Sequence, residues 1–205
     1  TKEEYVFTSF SDYLFNSSGS YSSGINLHFF QFGEEEQNVR RGFDGAQSVL
    51  GLVIQYYTRY GMSITNINAS STLLDEISKL PETYDAVVYY QFLLRWGTHF
   101  ASEATYGGKA KLHSFIDQEF FMSNSRSSIE SSLSAQFDNW EAGIEWGNTE
   151  FNSTYTFSTE SAQWITFYGG DATLALTNQW NDWIDSTHRS PAQVTRELTP
   201  ISSLA

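Results

Sequence analysis

Residues 89–100 read Tyr89-Tyr-Gln-Phe-Leu-Leu-Arg-Trp-Gly-Thr-His-Phe100, and within this stretch an apolar helical pattern stops at a glycine and a strand pattern begins. Just upstream, Tyr84 falls on the same helical face as Val88 and Phe92. Gly97 then supplies the signal that ends the helix. Taken alone, these residues indicate a buried helix that ends in a turn and is followed by a strand.

The spacing of this stretch resembles the signature of the membrane attack complex/perforin (MACPF) family. That signature is a tyrosine, six residues, an aromatic residue, Gly-Thr-His and a second aromatic residue, and it is matched by Tyr89, Trp96, Gly97, Thr98, His99 and Phe100. Trp96 stands where the family usually has tyrosine or phenylalanine. The Gly-Gly pairs at 107 and 169 and the tryptophan-rich tail also lie where the family has them.

The composition and net charge of the chain limit the classes of molecule that it can bind. The chain has 205 residues, enough for one substantial core, and we interpret 1–205 as a single domain. Its 24 acidic and 11 basic residues give a net charge of -13, which argues against nucleic acid and against an anionic bilayer. Zwitterionic lipid, a glycan or a protein receptor fits this charge better. No run approaches the roughly eighteen apolar residues of a spanning helix, so membrane insertion would have to come from refolding.

The motifs of common enzymes are absent from the sequence. It has no Gly-x-Ser-x-Gly, no His-Glu-x-x-His, no phosphate-binding glycine loop and no cysteine. His99 and His113 share one predicted strand region, but their spacing does not support a metal site, and His99 is interpreted as structural. Glu141 and Glu145 could pair as in a glycosidase, which spacing alone cannot show. We therefore expect no enzyme, no catalytic residue, no metal and no cofactor.

Two segments carry an apolar pattern that fits both a helix and a strand. Within residues 8–42 and 117–160, apolar side chains recur at i, i+4, i+8 and also alternate with small or polar ones. Because four is a multiple of two, one set of positions can pack as a helix and also form one face of a strand. Alternation alone favours ordinary helices or strands. With the family resemblance, we assign a membrane-inserting role to Tyr21, Ile25, Leu27, Phe29, Ile129, Leu133, Phe137, Trp140, Ile144 and Trp146.

Strand patterns are predicted over residues 46–64, 98–116 and 161–168. Gly107 and Gly108 interrupt the second of them, as a kink or as a hairpin turn, and the kink is preferred because the family has a bent sheet. Together with Gly169 and Gly170 they are interpreted as hinge residues. Helices are predicted after a cap at Ser71 or Thr72 and after a cap at Asp171, with a looped end marked by Pro191 and Pro200.

What the resemblance implies is an α+β fold, in which a bent, twisted antiparallel sheet of four strands is flanked by two helical clusters. In that family the clusters refold into transmembrane β-hairpins as monomers assemble into a ring or arc. They map here to 8–42 and 117–160, and only Lys2 to Thr8 remain for the first strand, so an incomplete N-terminal strand region is expected.

The function that follows from the resemblance is perforation of a lipid membrane by a homo-oligomer. Such a protein would be secreted or stored in vesicles, would reach a receptor or glycan through another domain, and would not bind nucleic acid. The alternative is a family member that adheres to a carbohydrate or receptor without lysis. Three Asn-x-Ser/Thr triplets begin at Asn16, Asn68 and Asn152 and would be glycan acceptors in a secretory pathway.

Overall fold

A computed structural model of the chain describes residues 1–18, 33–45, 48–65, 67–142 and 161–204. An antiparallel sheet organises them. Its strands are β1 (Lys2–Phe7), β2 (Ser48–Ser63), β3 (His99–Asp117), β4 (Ser161–Tyr168) and β5 (Ala192–Pro200). The α+β fold and the three long strands predicted from sequence are confirmed, with ends displaced by no more than a few residues.

The sheet contains a fifth strand that the sequence pattern did not predict. Strands β1, β2, β3 and β4 are neighbours in that order, and β5 also pairs with β3. Strand β4 lies along residues 109–116 of β3, whereas β5 lies along residues 99–107, so the two share one edge of β3 in succession. The looped end expected between Pro191 and Pro200 is wrong. The prolines stand just before and at the end of β5, where strands tolerate a missing N–H donor.

The first strand covers only part of its neighbour. Residues 2–7 of β1 pair with residues 50–55 of the sixteen-residue β2. Beyond Tyr56, which exchanges backbone hydrogen bonds with Thr1, the outer edge of β2 has no neighbouring strand among the described residues. The short first strand expected from Lys2 to Thr8 is therefore formed.

Helices precede and follow the strands. They are α1 (Phe10–Ser18), α2 (Glu34–Gly45), α3 (Ser71–Ser78), α4 (Ala86–Trp96), α5 (Gln118–Ser123), α6 (Arg126–Glu141), α7 (Ala172–Leu176) and α8 (Trp180–Ser186), with a 3-10 turn at Ile201–Leu204. Ser70, one residue before the predicted cap, accepts the hydrogen bond that begins α3, and Asp171 caps α7 as predicted. The single helix expected after Asp171 is two, because Asn178 adopts a φ of 60° between them. None of the helices in the described ranges is both long enough and apolar enough to cross a bilayer.

The two clusters cover opposite faces of the sheet. Successive strand residues point to opposite sides, so β2 contributes to two separate apolar cores. Leu50, Leu52 and Ile54 pack on the side of α1 and α2, and Val49 and Val53 pack on the side of α6 and α8. The result is three layers, with the sheet in the middle and one predicted cluster on each side.

Candidate functional site

Helix α6 holds the predicted membrane-inserting residues of the second cluster in a buried stripe. Ser125 caps its first turn, and Ile129, Leu133 and Phe137 have at most 1% of their surface exposed. The methyl carbons of Leu133 lie 2.6 and 2.7 Å from where a Cβ on Gly51 would stand, so the glycine leaves room for the leucine. The aromatic ring of Trp140 is partly buried against α8. The predicted positions Tyr21, Ile25, Leu27, Phe29, Ile144 and Trp146 lie outside the described residues.

Helix α2, from the first cluster, docks on the opposite face of the sheet. Val39 is fully buried, and Phe43 meets Phe115 of β3 edge to face at 5.4 Å. Gly42 lies directly over the Phe115 ring, where a Cβ would overlap the ring carbons. The helix therefore sits closer to the sheet than a larger residue at position 42 would allow.

A polar cluster at the start of α2 joins four elements. Glu35 Oε1 accepts hydrogen bonds from Lys111 Nζ at 2.7 Å and from the Tyr13 hydroxyl at 2.9 Å, and it lies 3.3 Å from His113 Nε2. The Tyr168 hydroxyl donates to the other carboxylate oxygen. The carboxylate thereby links α1 and α2 to β3 and β4. Residues 34–36 are all glutamate, and the sequence pattern alone does not indicate which of the three faces the sheet.

The cluster changes the titration of its members. Burial alone would raise the pKa of Glu35, but the contacts with His113 and with the Lys111 ammonium outweigh it and hold that pKa well below its usual range. Burial lowers the pKa of His113, although Glu35 opposes this. Burial together with the nearby carboxylate raises the pKa of both Tyr13 and Tyr168. At neutral pH the cluster therefore holds an ionised glutamate.

The four predicted hinge glycines lie close together, where the end of β4 meets β3. Strand β3 continues through Gly107 and Gly108, which excludes a hairpin turn there, and its register with β2 shifts beside Gly107. Gly169 and Gly170 have φ values of 74° and 66°, which other residues adopt only with strain. A Cβ on Gly169 would overlap the carbonyl oxygen of Gly107, and a Cβ on Gly107 would overlap that of Tyr57. The hinge function of these glycines stays a prediction.

Helix α8 and the residue that follows it pack over these glycines. Trp183 is fully buried and its Nε1 donates a hydrogen bond to the Gly169 carbonyl at 3.0 Å. The methyl group of Thr187 stands 2.7 Å from where a Cβ on Gly108 would be. The register of β2 against β3 shifts between Thr58 and Tyr60, and there the Arg59 guanidinium donates to the Thr187 hydroxyl at 2.9 Å. Trp180 and Trp183 both belong to the core, with exposed fractions of 6% and 0%.

The signature residues build the connection between α4 and β3. Gly97, with a φ of 78°, ends the helix and donates its N–H to the Leu93 carbonyl at 2.8 Å. Tyr89 ties α4 to the preceding turn by donating to the Pro81 carbonyl at 3.0 Å. The backbone carbonyl of Thr98 accepts from Ile201, just after β5. Trp96 is half-buried, His99 is exposed with its Nδ1 3.0 Å from the Thr98 hydroxyl, and Phe100 pairs with Thr199 of β5.

The same end of the molecule carries an exposed apolar surface, which we call the apolar end. Of thirteen exposed large hydrophobic side chains in the described residues, ten belong to the end of β2, to α3, to α4 or to the residues that join them. They are Tyr60, Met62, Ile64, Leu74, Tyr84, Val87, Val88, Tyr90, Leu93 and Leu94. This surface lies at the end of the sheet opposite the two clusters, because β2 begins beside them and ends here. The sequence pattern had predicted that Val88 would be buried, but α4 has no buried residue.

Comparisons with known proteins agree on one family. Residues 4–205 match the family model described as the MAC/Perforin domain. The 67 kDa subunit of perivitellin-2 from Pomacea maculata is 24% identical over 204 residues, covering 90% of this chain and 34% of the relative, and the subunit from Pomacea canaliculata gives the same figures. The chain thus spans about a third of the length of these curated relatives.

Solved structures show the same fold. The crystal structure of GNIP1Aa from Chromobacterium piscinae aligns with a TM-score of 0.70 at 15% identity, covering 100% of this chain and 42% of the other. A protein with a MAC/Perforin domain from Bacteroides thetaiotaomicron aligns with a TM-score of 0.54, also at 15% identity, covering 100% and 47%.

Proposed function

Because the chain belongs to the MAC/Perforin domain family, we propose that it is a secreted protein that oligomerises on a membrane and perforates it with β-hairpins. The hairpins would form from residues 8–42 and 117–160. Family membership and the similarity to perivitellin-2 support secretion and a perforin-like role. The proposed activity needs no catalysis and no cofactor.

The observation that carries the proposal is the docking of α6. Its buried residues Ile129, Leu133 and Phe137 are spaced by four, and as a strand they would still share one face. None of them is charged, which a lipid-facing strand requires. Burying each side chain contributes roughly 1.5–3 kcal/mol, so α6 stays on the sheet until another apolar environment replaces it. A bilayer offers such an environment.

The edges of the sheet support assembly of several copies. Among the described residues, no strand covers the outer edge of β1 or of β4. Unpaired N–H and C=O groups along an edge are a template for a strand of another chain. Pairing β4 of one copy with β1 of the next uses two different surfaces, and contacts of that kind produce rings or arcs.

Dye release from vesicles tests the proposal. The protein is added to phosphatidylcholine vesicles loaded with a self-quenching dye, and the same samples are imaged by electron microscopy. We expect dye release together with rings or arcs, and weaker binding to vesicles with added anionic lipid because the chain carries a net charge of -13. Saturating binding without release would contradict perforation.

A second candidate function is binding without lysis, as an adhesion module for a glycan or a protein receptor. The apolar end favours it, because exposed patches of this kind mark interaction sites. This surface lies away from the clusters and would therefore face away from a bilayer that the clusters enter. If Tyr90→Ser and Leu94→Ser abolish attachment to cells while vesicles remain intact with every variant, this second function replaces the first.

A further inference from the structure

The contact between α2 and the sheet has a polar centre that the apolar packing does not need. Val39 and Phe43 already bury the helix, yet Glu35 lies at its first turn with only 10% of its side chain exposed. We propose that Glu35 and His113 form an acid-sensitive latch, which holds the first cluster on the sheet and releases it when the pH falls. Its link to perforation rests on the proposed function.

The geometry makes the carboxylate a shared contact of four elements. Moving α2 away would separate Glu35 from Lys111 and His113 on β3 and from Tyr168 on β4. Hydrogen bonds between charged groups are roughly twice as strong as neutral ones. Release of α2 therefore breaks several such contacts at once.

His113 gives the latch its sensitivity to acid. It is fully buried, and its ring stacks on Trp164 with centroids 4.6 Å apart and planes 2° from parallel. Nε2 faces Glu35, whereas Nδ1 has no hydrogen-bond partner among the described atoms. A second proton would place an unsatisfied N–H in the interior, beside the Lys111 charge. The docked state therefore resists protonation, and a released imidazole accepts it freely.

The direction of the pH effect follows from the two pKa shifts. The pKa of His113 is lowered in the docked state, so the released state binds more protons below its ordinary value of 6.5, and acidification favours release. The pKa of Glu35 is also lowered, so its stabilising contribution is lost as the pH falls below about 4.5, and this too favours release on acidification.

The titratable and charged groups that face this pair in the described structure are Tyr13 from α1, Glu36 from α2, Lys109 and Lys111 from β3, and Tyr168 from β4. Burial lowers the pKa of Lys109 to about 8, so this lysine stays protonated throughout the acid range in which the latch opens.

Hydrogen exchange of the whole chain tests the latch without a membrane. Glu35→Gln removes the charge and keeps the shape, and Glu34→Gln, at an exposed position of the same turn, is the matched control. We expect amides of residues 34–45 to exchange about tenfold faster or more in the first variant, because hydrogen bonds to a charged group are lost. The control should match the unmodified chain. Equal exchange in the two variants would overturn the proposal, whatever vesicles show.

The acid response is tested with His113→Phe, which retains an aromatic ring beside Trp164 and cannot titrate. After correction for intrinsic exchange, opening of α2 in the unmodified chain should rise about tenfold between about pH 7.5 and pH 5.5, because a released imidazole is then mostly protonated. The variant should lose this rise, even if its opening at neutral pH is already faster. A rise of the same size in the variant would overturn the role of His113.

Dye release distinguishes failure of the latch proposal from failure of the proposed function. Faster release by Glu35→Gln at neutral pH, together with acid-stimulated release by the unmodified chain, supports both. Faster exchange in a protein that releases no dye at any pH supports the latch and refutes perforation. Faster exchange in the variant with release rates identical to those of the unmodified chain would refute control of perforation by the latch.

Discussion

Replacing Leu133 by alanine tests whether α6 leaves the sheet as a separate unit. The side chain has no exposed surface and fills the space over Gly51. Leu→Ala changes at such sites cost about 2–5 kcal/mol. A domain of this kind is stable by about 5–15 kcal/mol, so the variant stays folded. Even the lower cost would make the open form of α6 roughly 30-fold more populated if the loss acts locally.

Hydrogen exchange and dye release measure this effect together. Amides of α6 should lose protection in Leu133→Ala, whereas amides of β2 and β3 keep most of theirs. The lag before dye release should shorten if detachment of α6 limits perforation. Ser131→Ala, at an exposed position of the same helix, is the matched control and should change stability by less than about 0.5 kcal/mol.

A second substitution tests the contact between Leu133 and Gly51 directly. Gly51→Ala alone should destabilise the chain by about 1–3 kcal/mol, because its methyl group would crowd Leu133. In the Leu133→Ala background that crowding is gone, so the double variant should be more stable than the sum of the single effects predicts. Additive effects would show that the two side chains are not in contact. A loss of protection spread evenly over the sheet would show that α6 does not open alone.

Three further outcomes are expected. Gly107→Val should lower stability and block dye release while vesicle binding remains, because its side chain would overlap a backbone carbonyl of β2. Gly61→Ala, on the same strand pair, adds a methyl group that meets its neighbours only at an ordinary contact distance of 3.9 Å, so it should behave like the unmodified chain in thermal unfolding and release assays. Trp183→Phe should lower the free energy of unfolding by about 1–3 kcal/mol in denaturant titrations, because the Gly169 carbonyl loses its donor. In a eukaryotic secretory host, mass spectrometry should find glycan at Asn68, which is exposed in the loop before α3, and none on an Asn68→Gln variant.

Local patterns were sufficient to predict the elements that depend on neighbouring residues in the sequence. The strand pattern over 46–64 became β2 at Ser48–Ser63, and the glycine at 97 ended α4 where expected. Caps such as Asp171 could also be read, because the acceptor lies within three residues of the amides it satisfies. The family signature extended these local predictions to the topology of the sheet.

Contacts between distant residues could not be predicted in the same way. Strand β5 is stabilised by pairing with β3, about ninety residues earlier, and its own sequence alternates too weakly to indicate a strand. The pattern of α6 fitted a helix and a strand equally. The helix forms because its apolar side chains pack on the apolar face of the sheet. The Glu35 cluster depends on which acid of three faces β3, which only the docking of α2 determines.

The succession of β4 and β5 along one edge of β3 divides the sheet mechanically. On that side the hydrogen-bond ladder is interrupted between Gly107 and Lys109, whereas the ladder with β2 runs past the same level. Strands β4 and β5 do not pair with each other there, so a lateral force on β4 reaches β5 through β3 or through the connecting residues 169–191. If the four glycines act as the predicted hinge, the half that contains β5 would be the fixed base and the half that contains β4 would be the moving arm. In the described sheet, β2 and β3 both run past the level of Gly108. Such a rotation would therefore require elastic work to bend these two strands.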